Sequence, residues 1–168
     1  TKLYSHNADV DLINHVELDK LSSKEKTFLT EKAGKRTLVE TLLKSCLAPE
    51  ELKLKVGAEV MFIKNDQGGR YANGTRGKVI NFKKETGWPI VQTLDESLVI
   101  AEPDSWSIKD EKGQDIAAIT QVPLRLAWAI TIHKSQGMSL DSAFVNLNKV
   151  FEYGMGYVAL SRVRTLNG

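Results

Sequence analysis

The chain has 168 residues, 42% of them hydrophobic, and its 23 Lys and Arg nearly balance 21 Asp and Glu. That is enough apolar material to bury a core, which excludes a disordered chain. The single cysteine, Cys46, rules out an internal disulfide framework, and His6, His15 and His133 have no Cys/His spacing for a zinc site, so no metal ligands are expected.

The near-neutral total is a cancellation: residues 1–52 carry 8 basic and 9 acidic side chains, 53–84 carry 8 and 2, 85–119 carry 2 and 8, and 120–168 carry 5 and 2. A basic block followed by an acidic one implies a surface with a positive side, suited to phosphate backbones or other polyanions. No apolar run approaches the roughly 18 to 20 residues of a membrane span, and the polar start has no signal-peptide core. We therefore expect an intracellular protein without a membrane partner. A start at Thr1 rather than Met suggests a piece of a longer protein.

In chain order, residues 2–5 form a short strand candidate. Asn7 can cap a following helix with Asp9 and Asp11 in its first turns, where negative charge suits the helix dipole. Its apolar face is expected to be Ala8, Leu12, Ile13 and Val16. A second helix is predicted over 36–47, with Cys46 as a small core residue on its apolar stripe, and Ala48-Pro49 redirects the chain. From about 54 to 119 the pattern becomes short β-branched and aromatic runs between turns. Strands are predicted at 59–64, 77–82, 90–94, 98–101 and 105–108, with another beginning near Ile116; this spacing fits a small barrel, with Trp88 and Trp106 in its core. Periodicity cannot separate helix from strand over 126–136; helix is the preferred reading, with Trp128 buried. A buried strand over 142–147 and a helix over 157–163 complete an α/β arrangement interrupted by the barrel.

The chemistry begins with what is missing. A phosphate loop needs a leading glycine and Lys-Ser/Thr, but Gly34-Lys35 has Leu29 at the first position and Arg36 after the lysine. Gly77-Lys78 likewise has Ala72 and Val79. No paired acidic motif after an apolar strand offers a magnesium ligand, so this chain alone should not hydrolyse ATP. Two segments are richer in polar groups than a core requires: "AITIHKSQGMSLD" and "YVALSRVR". On residue type alone, the first is either a polar helix end or a phosphate site, and the second either holds a structural ion pair or recognises phosphate.

These segments, in this order, resemble the fifth and sixth motifs of superfamily 1 helicases, and their wording resembles the Pif1 branch. "TKLYSHNADVDLIN" is similar to that branch's fourth-motif region, and "LKVGAEVMFIKND" with "YANGTRGKVINF" to the SH3-like 2B insertion of Pif1 and RecD-type enzymes. The resemblance implies an α/β fold: a second RecA-like domain, 2A, in residues 1–53 and 120–168, interrupted by a small SH3-like β-barrel, 2B, in 54–119. It further implies part of a monomeric, ATP-dependent 5′-to-3′ DNA helicase acting on single-stranded or forked DNA. The partner domain, an N-terminal RecA-like half, would hold most of the ATP and Mg²⁺ contacts.

The same resemblance assigns roles. Arg162 would be the arginine finger that neutralises charge developing on the γ-phosphate. Gln136, Gly137 and Arg164 join it in the ATP cleft. Thr131, His133, Lys134 and Ser135, with His6 and Asn7, would contact the single-strand backbone without reading bases. Asn73, Arg76 and Lys78 of the insertion would add contacts, their competing reading being a hairpin turn with solvated charges. The reading from a different class is a non-enzymatic protein that binds nucleic acid or docks a partner through the barrel.

Overall fold

The computed structural model describes residues 2–4, 7–132, 144–145 and 154–161. β1 (Lys2–Tyr4) leads to α1 (Asn7–Asp19), followed by β2 (Lys26–Leu29), β3 (Glu31–Gly34), α2 (Arg36–Ser45) and β4 (Glu51–Leu54). The middle of the chain supplies β5 (Glu59–Phe62), β6 (Arg76–Phe82), β7 (Pro89–Thr93), β8 (Leu98–Ile100), β9 (Asp104–Lys109) and β10 (Asp115–Gln121). β11 (Leu124–Leu126), β12 (Ala129–Thr131), β13 (Phe144–Val145) and α3 (Met155–Leu160) follow. Mostly β-sheet, these elements form a five-stranded sheet in the order β11-β5-β6-β7-β8, two three-stranded sheets, β3-β10-β9 and β12-β1-β13, and the pair β2-β4.

Strand alternation explains the first core. Val60, Phe62, Val79, Val91 and Val99 turn inward from the five-stranded sheet and meet Leu52 and Leu54 of β4 and Leu18 of α1. The Phe62 ring stacks on Tyr71 with centroids 3.9 Å apart. Gly77 is required where β6 meets β7, because a Cβ there would lie 2.5 Å from the Gln92 carbonyl oxygen. A second, smaller core forms where α2 lays Val39 and Leu42 against Ala117 and Ile119 of β10. Cys46 is half-buried beside it, and burial pushes its thiol pKa up, as expected of a packing residue. Gln121, buried at the end of β10, joins this region to the rest: its Nε2 lies within hydrogen-bonding distance of the Phe28 and Pro49 carbonyls and the Thr30 hydroxyl, and its Oε1 accepts from the Val122 amide.

Several expectations are corrected. The helix read over 126–136 is two strands as far as the described residues reach, because β11 finds β5 and β12 finds β1. The bend between them is held by the Ala127 amide donating to the Glu59 carbonyl at 2.9 Å. Strands predicted for one barrel divide: β5 to β8 join β11, whereas β9 and β10 pair with β3. Trp106 accordingly packs half-buried on the α2 cluster with the Lys64 ammonium 5.0 Å from its ring centroid, and Trp88 is half-buried outside both clusters. Trp128 is half-buried against the five-stranded sheet's core. On α1 the buried row is Val10, Asn14 and Leu18, while Leu12 and Val16 are 65% and 45% exposed. Asn14 ties the helix to β12 while Leu18 enters the five-stranded sheet's core, so packing rather than hydrophobicity alone chose its face.

Candidate nucleic-acid interface

β1 and β12 run parallel in the register Lys2↔Ala129, Leu3↔Ile130, Tyr4↔Thr131, so their carboxyl ends lie side by side. Ligands of open parallel sheets bind beyond those ends. The chain leaves β1 toward Asn7, the first residue of α1, and leaves β12 through Thr131 and Ile132. The fold therefore brings the chain segments around Asn7 and Thr131 to one end of the sheet. Thr131 itself is 3% exposed, which makes it part of the strand's buried framework. α1 is tied to β12 by Asn14, whose amide Nδ2 donates to the Ala129 carbonyl at 2.9 Å while its Oδ1 accepts from the Ala129 amide at 3.0 Å.

The basic block is largely consumed inside the fold. Lys64 reaches Asp104 at 2.8 Å, Arg70 forks onto Asp66, Arg76 faces Glu59 at 3.6 Å, and Lys53 lies near Glu51 and Glu25. Lys55 donates to the Leu21 carbonyl. Lys78, on the exposed face of β6, and Lys83 and Lys84, in the turn after it, have no ion pair among the described residues. A groove of about 700 Å³ is lined by Arg70, Tyr71, Asn73, Arg76 and Asp95, among others. Arg76 also borders the neighbouring hollow with Lys78 and Gln92. Asn73 is exposed, its backbone amide donating to Asn65 Oδ1 at 2.8 Å. Asp66 accepts from Arg70 Nε at 3.0 Å and Nη2 at 2.7 Å, and that hydrogen-bonded fork lowers its carboxyl pKa to about 2. The groove is thus mixed in charge, with an ion pair on one wall, and an open lysine, Lys78, lines the neighbouring hollow. Such a surface can hold a phosphate backbone.

A third hollow, of about 190 Å³, lies between α1, β4 and β11 and is lined by Asp11, Asn14, His15, Lys53 and Arg125. Arg125 Nε and Nη1 are buried without a hydrogen-bond partner among the described residues. Desolvation lowers the guanidinium's pKa, and the charge of Asp11 opposes that shift. The other residues singled out in the sequence, His6, His133, Lys134, Ser135, Gln136, Gly137, Arg162 and Arg164, lie outside the described residues. Among the described residues no cluster of His, Cys, Asp or Glu fits a metal ion, and no helix is long and apolar enough to cross a membrane. Sequence reading passed over Asn14, Gln121 and Arg125. The signal for Asn14 was present: a polar residue midway between Val10 and Leu18 in an i, i+4, i+8 row. Gln121 and Arg125 carry no comparable local signal: the groups that Gln121 Nε2 meets, and the elements that bury Arg125, come from distant segments.

Three comparisons bear on this geometry. Residues 37–82 match the family model described as "DNA helicase Pif1, 2B domain". The chain is 40% identical over 217 aligned residues to the ATP-dependent DNA helicase Pif1 of Psychrobacter sp., covering all of this chain and 33% of that protein. It spans about a quarter to a third of the length of such relatives. Bacteroides sp. Pif1 in complex with ADP-AlF4 has a similar fold with TM-score 0.84 at 33% identity, over 99% of this chain and 38% of that one. Bacteroides Pif1 in complex with ADP-AlF3 and ssDNA gives TM-score 0.74 at 33% identity, with the same coverage of 99% and 38%.

Proposed function

The chain belongs to the Pif1 family of DNA helicases as a partial chain that takes in the 2B-domain region, and on that premise we propose that it is the second RecA-like half of such an enzyme together with its SH3-like insertion. In this reading β12-β1-β13 with α1 is the edge of the RecA-like sheet. The sequence-based boundaries, 1–53 and 120–168 around 54–119, then widen for the inserted unit. β3 pairs with β10 and β11 with β5, which supports an insertion running from about residue 26 to residue 126.

The observation that carries the reading is the Tyr4↔Thr131 register. It brings together the fourth-motif and fifth-motif regions, which the sequence keeps far apart, at the end of the sheet beyond which open parallel sheets commonly bind ligands. Single-stranded DNA, the ligand named for the Bacteroides complex, would run past this end, held by Asn7 and the α1 N-terminus, by His6, and by His133, Lys134 and Ser135. Lys78, Asn73 and Arg76 would add contacts from the insertion. Hydroxyl, imidazole, amide and ammonium donors suit a backbone gripped without regard to sequence. Thr131, buried in β12, would set the position of the segment that follows it.

ATP would sit between this half and the N-terminal RecA-like half. In this reading Mg²⁺ and most nucleotide contacts fall to that other half, since Gly34-Lys35 and Gly77-Lys78 lack the rest of a phosphate loop. Gln136, Gly137 and Arg164 would border the cleft, and Arg162 would stabilise charge on the transferred phosphoryl group. In the complete helicase, Arg162→Ala is expected to lower ATP turnover by about 10³ to 10⁵ while leaving single-strand binding in place. Turnover unchanged in that variant would remove Arg162 from the role.

A further inference from the structure

Asn14 is 5% exposed and stands between Val10 and Leu18, which are 1% and 2% exposed. A side-chain amide in such a row is stable only with its hydrogen bonds made. Asn14 makes two, both to one residue, donating to the Ala129 carbonyl and accepting from the Ala129 amide. Among the described residues β12 is an outer strand of the sheet β12-β1-β13. The Asn14 amide therefore satisfies the peptide groups of Ala129 as a neighbouring strand would, and does so from a helix that starts at the carboxyl end of β1.

We propose that Asn14 is a positioning residue for single-stranded DNA, tying the middle of α1 to Ala129 at the start of β12 so that Asn7, where the helix begins, and Thr131, where the strand ends, keep a fixed spacing. This rests on the helicase reading above, and Asn14 itself touches no DNA in it. Helix and strand are joined nowhere nearby in sequence. Apolar contact between a helix and a strand is non-directional and tolerates sliding, whereas a two-point amide fork sets one register. Loss of the fork then loosens the relation between the segments without removing any donor to phosphate.

The test uses the complete helicase. Asn14→Ala is expected to raise both the ssDNA dissociation constant and the ssDNA concentration giving half-maximal ATPase stimulation by about tenfold, with kcat at saturating ssDNA kept within about twofold. Asn14→Asp supplies the sharper readout. A protonated carboxyl can donate to the Ala129 carbonyl and accept from its amide, as the native amide does, whereas an ionised one cannot donate. Burial beside a carbonyl oxygen raises such a carboxyl's pKa, so the substitute functions below that raised value and fails as pH climbs through it. Relative to wild type measured at the same pH, the ssDNA-binding defect of Asn14→Asp should grow as pH rises and the carboxyl ionises, reaching about tenfold. Normal affinity in Asn14→Ala, or an Asn14→Asp defect that does not change with pH, overturns the proposal alone. A wild-type enzyme with no ssDNA-stimulated ATPase overturns the helicase reading and the proposal with it.

Discussion

The five-stranded antiparallel sheet and the three-stranded parallel sheet are both made of short strands, but they are assembled from different distances. β6 meets β7 across one turn, and β7 meets β8 across another. β1, by contrast, pairs with β12 and β13 from the far end of the chain. Parallel pairing always needs a crossover, and closing a long loop costs entropy that grows slowly with its length. Here the crossover from β1 to β12 contains the entire antiparallel sheet. The first sheet consequently finds all its strand partners within residues 59–126, whereas the second can pair once the first has brought its ends together. Leu18 extends this dependence: it lies on α1, beside the parallel sheet, yet is buried in the antiparallel sheet's core.

That asymmetry can be broken most directly at Phe62, fully buried and stacked on Tyr71. Phe62→Ala is expected to destabilise the chain by about 3–5 kcal/mol. In hydrogen exchange the Ala129 amide should lose its protection together with the amides of β6 and β7. Continued protection of Ala129 would mean that the parallel sheet stands without the other.

A smaller change of opposite sign is expected at the joint between the two regions. Arg125 holds a desolvated guanidinium whose Nε and Nη1 have no partner among the described residues. Exchanging it for an apolar side chain of similar length removes that penalty, and the exposed Asp11 nearby is left hydrated. Arg125→Met should stabilise the fold by about 1 kcal/mol, seen as a rise in Tm of about 2–4 °C. A fall in Tm would reveal a partner for the guanidinium in the folded protein.

The smallest expected effect is confined to the antiparallel region. The Asp66 carboxyl is held down to about 2 by Arg70, so its contribution to stability is present above the ordinary carboxylate value and lost as pH falls through the lowered one. Between about pH 4 and pH 2 the groove turn should loosen while β12 is unaffected. NMR titration of the Asp66 carboxyl checks this, and a midpoint near 4 would show that the Arg70 fork is absent in solution.

Legibility in the sequence followed the same divide. The turns and β-branched runs of the antiparallel region marked β5 to β8 to within a few residues, because hairpin pairing is encoded beside the strands it joins. The helix α2 was likewise legible, since its apolar stripe and Ala48-Pro49 stop are local. Over 126–136 helix was preferred to strand, and the described part is strand because its pairing comes from β5 and β1, which no window around it contains. Trp106 was assigned to the wrong core for the same reason: its face is decided by α2 and β3 arriving from earlier in the chain. Of the candidate site, the motif segments were recognisable as text, and Asn73, Arg76 and Lys78 as a positive hairpin. Their pairing was not, and it leaves Lys78 as the open charge where Arg76 faces Glu59.

Composition, turn chemistry and motif wording were enough to determine that this chain has a core, that it lacks a phosphate loop of its own, and that it resembles Pif1 helicases. All three are properties of neighbouring residues. Which face α1 buries, which charges in the basic block stay open, and how the segment near Asn7 comes to lie beside Thr131 depend on groups distant in sequence. The Asn14 fork on Ala129 is the clearest case: a buried amide must find both its partners, and only the folded chain decides where they are.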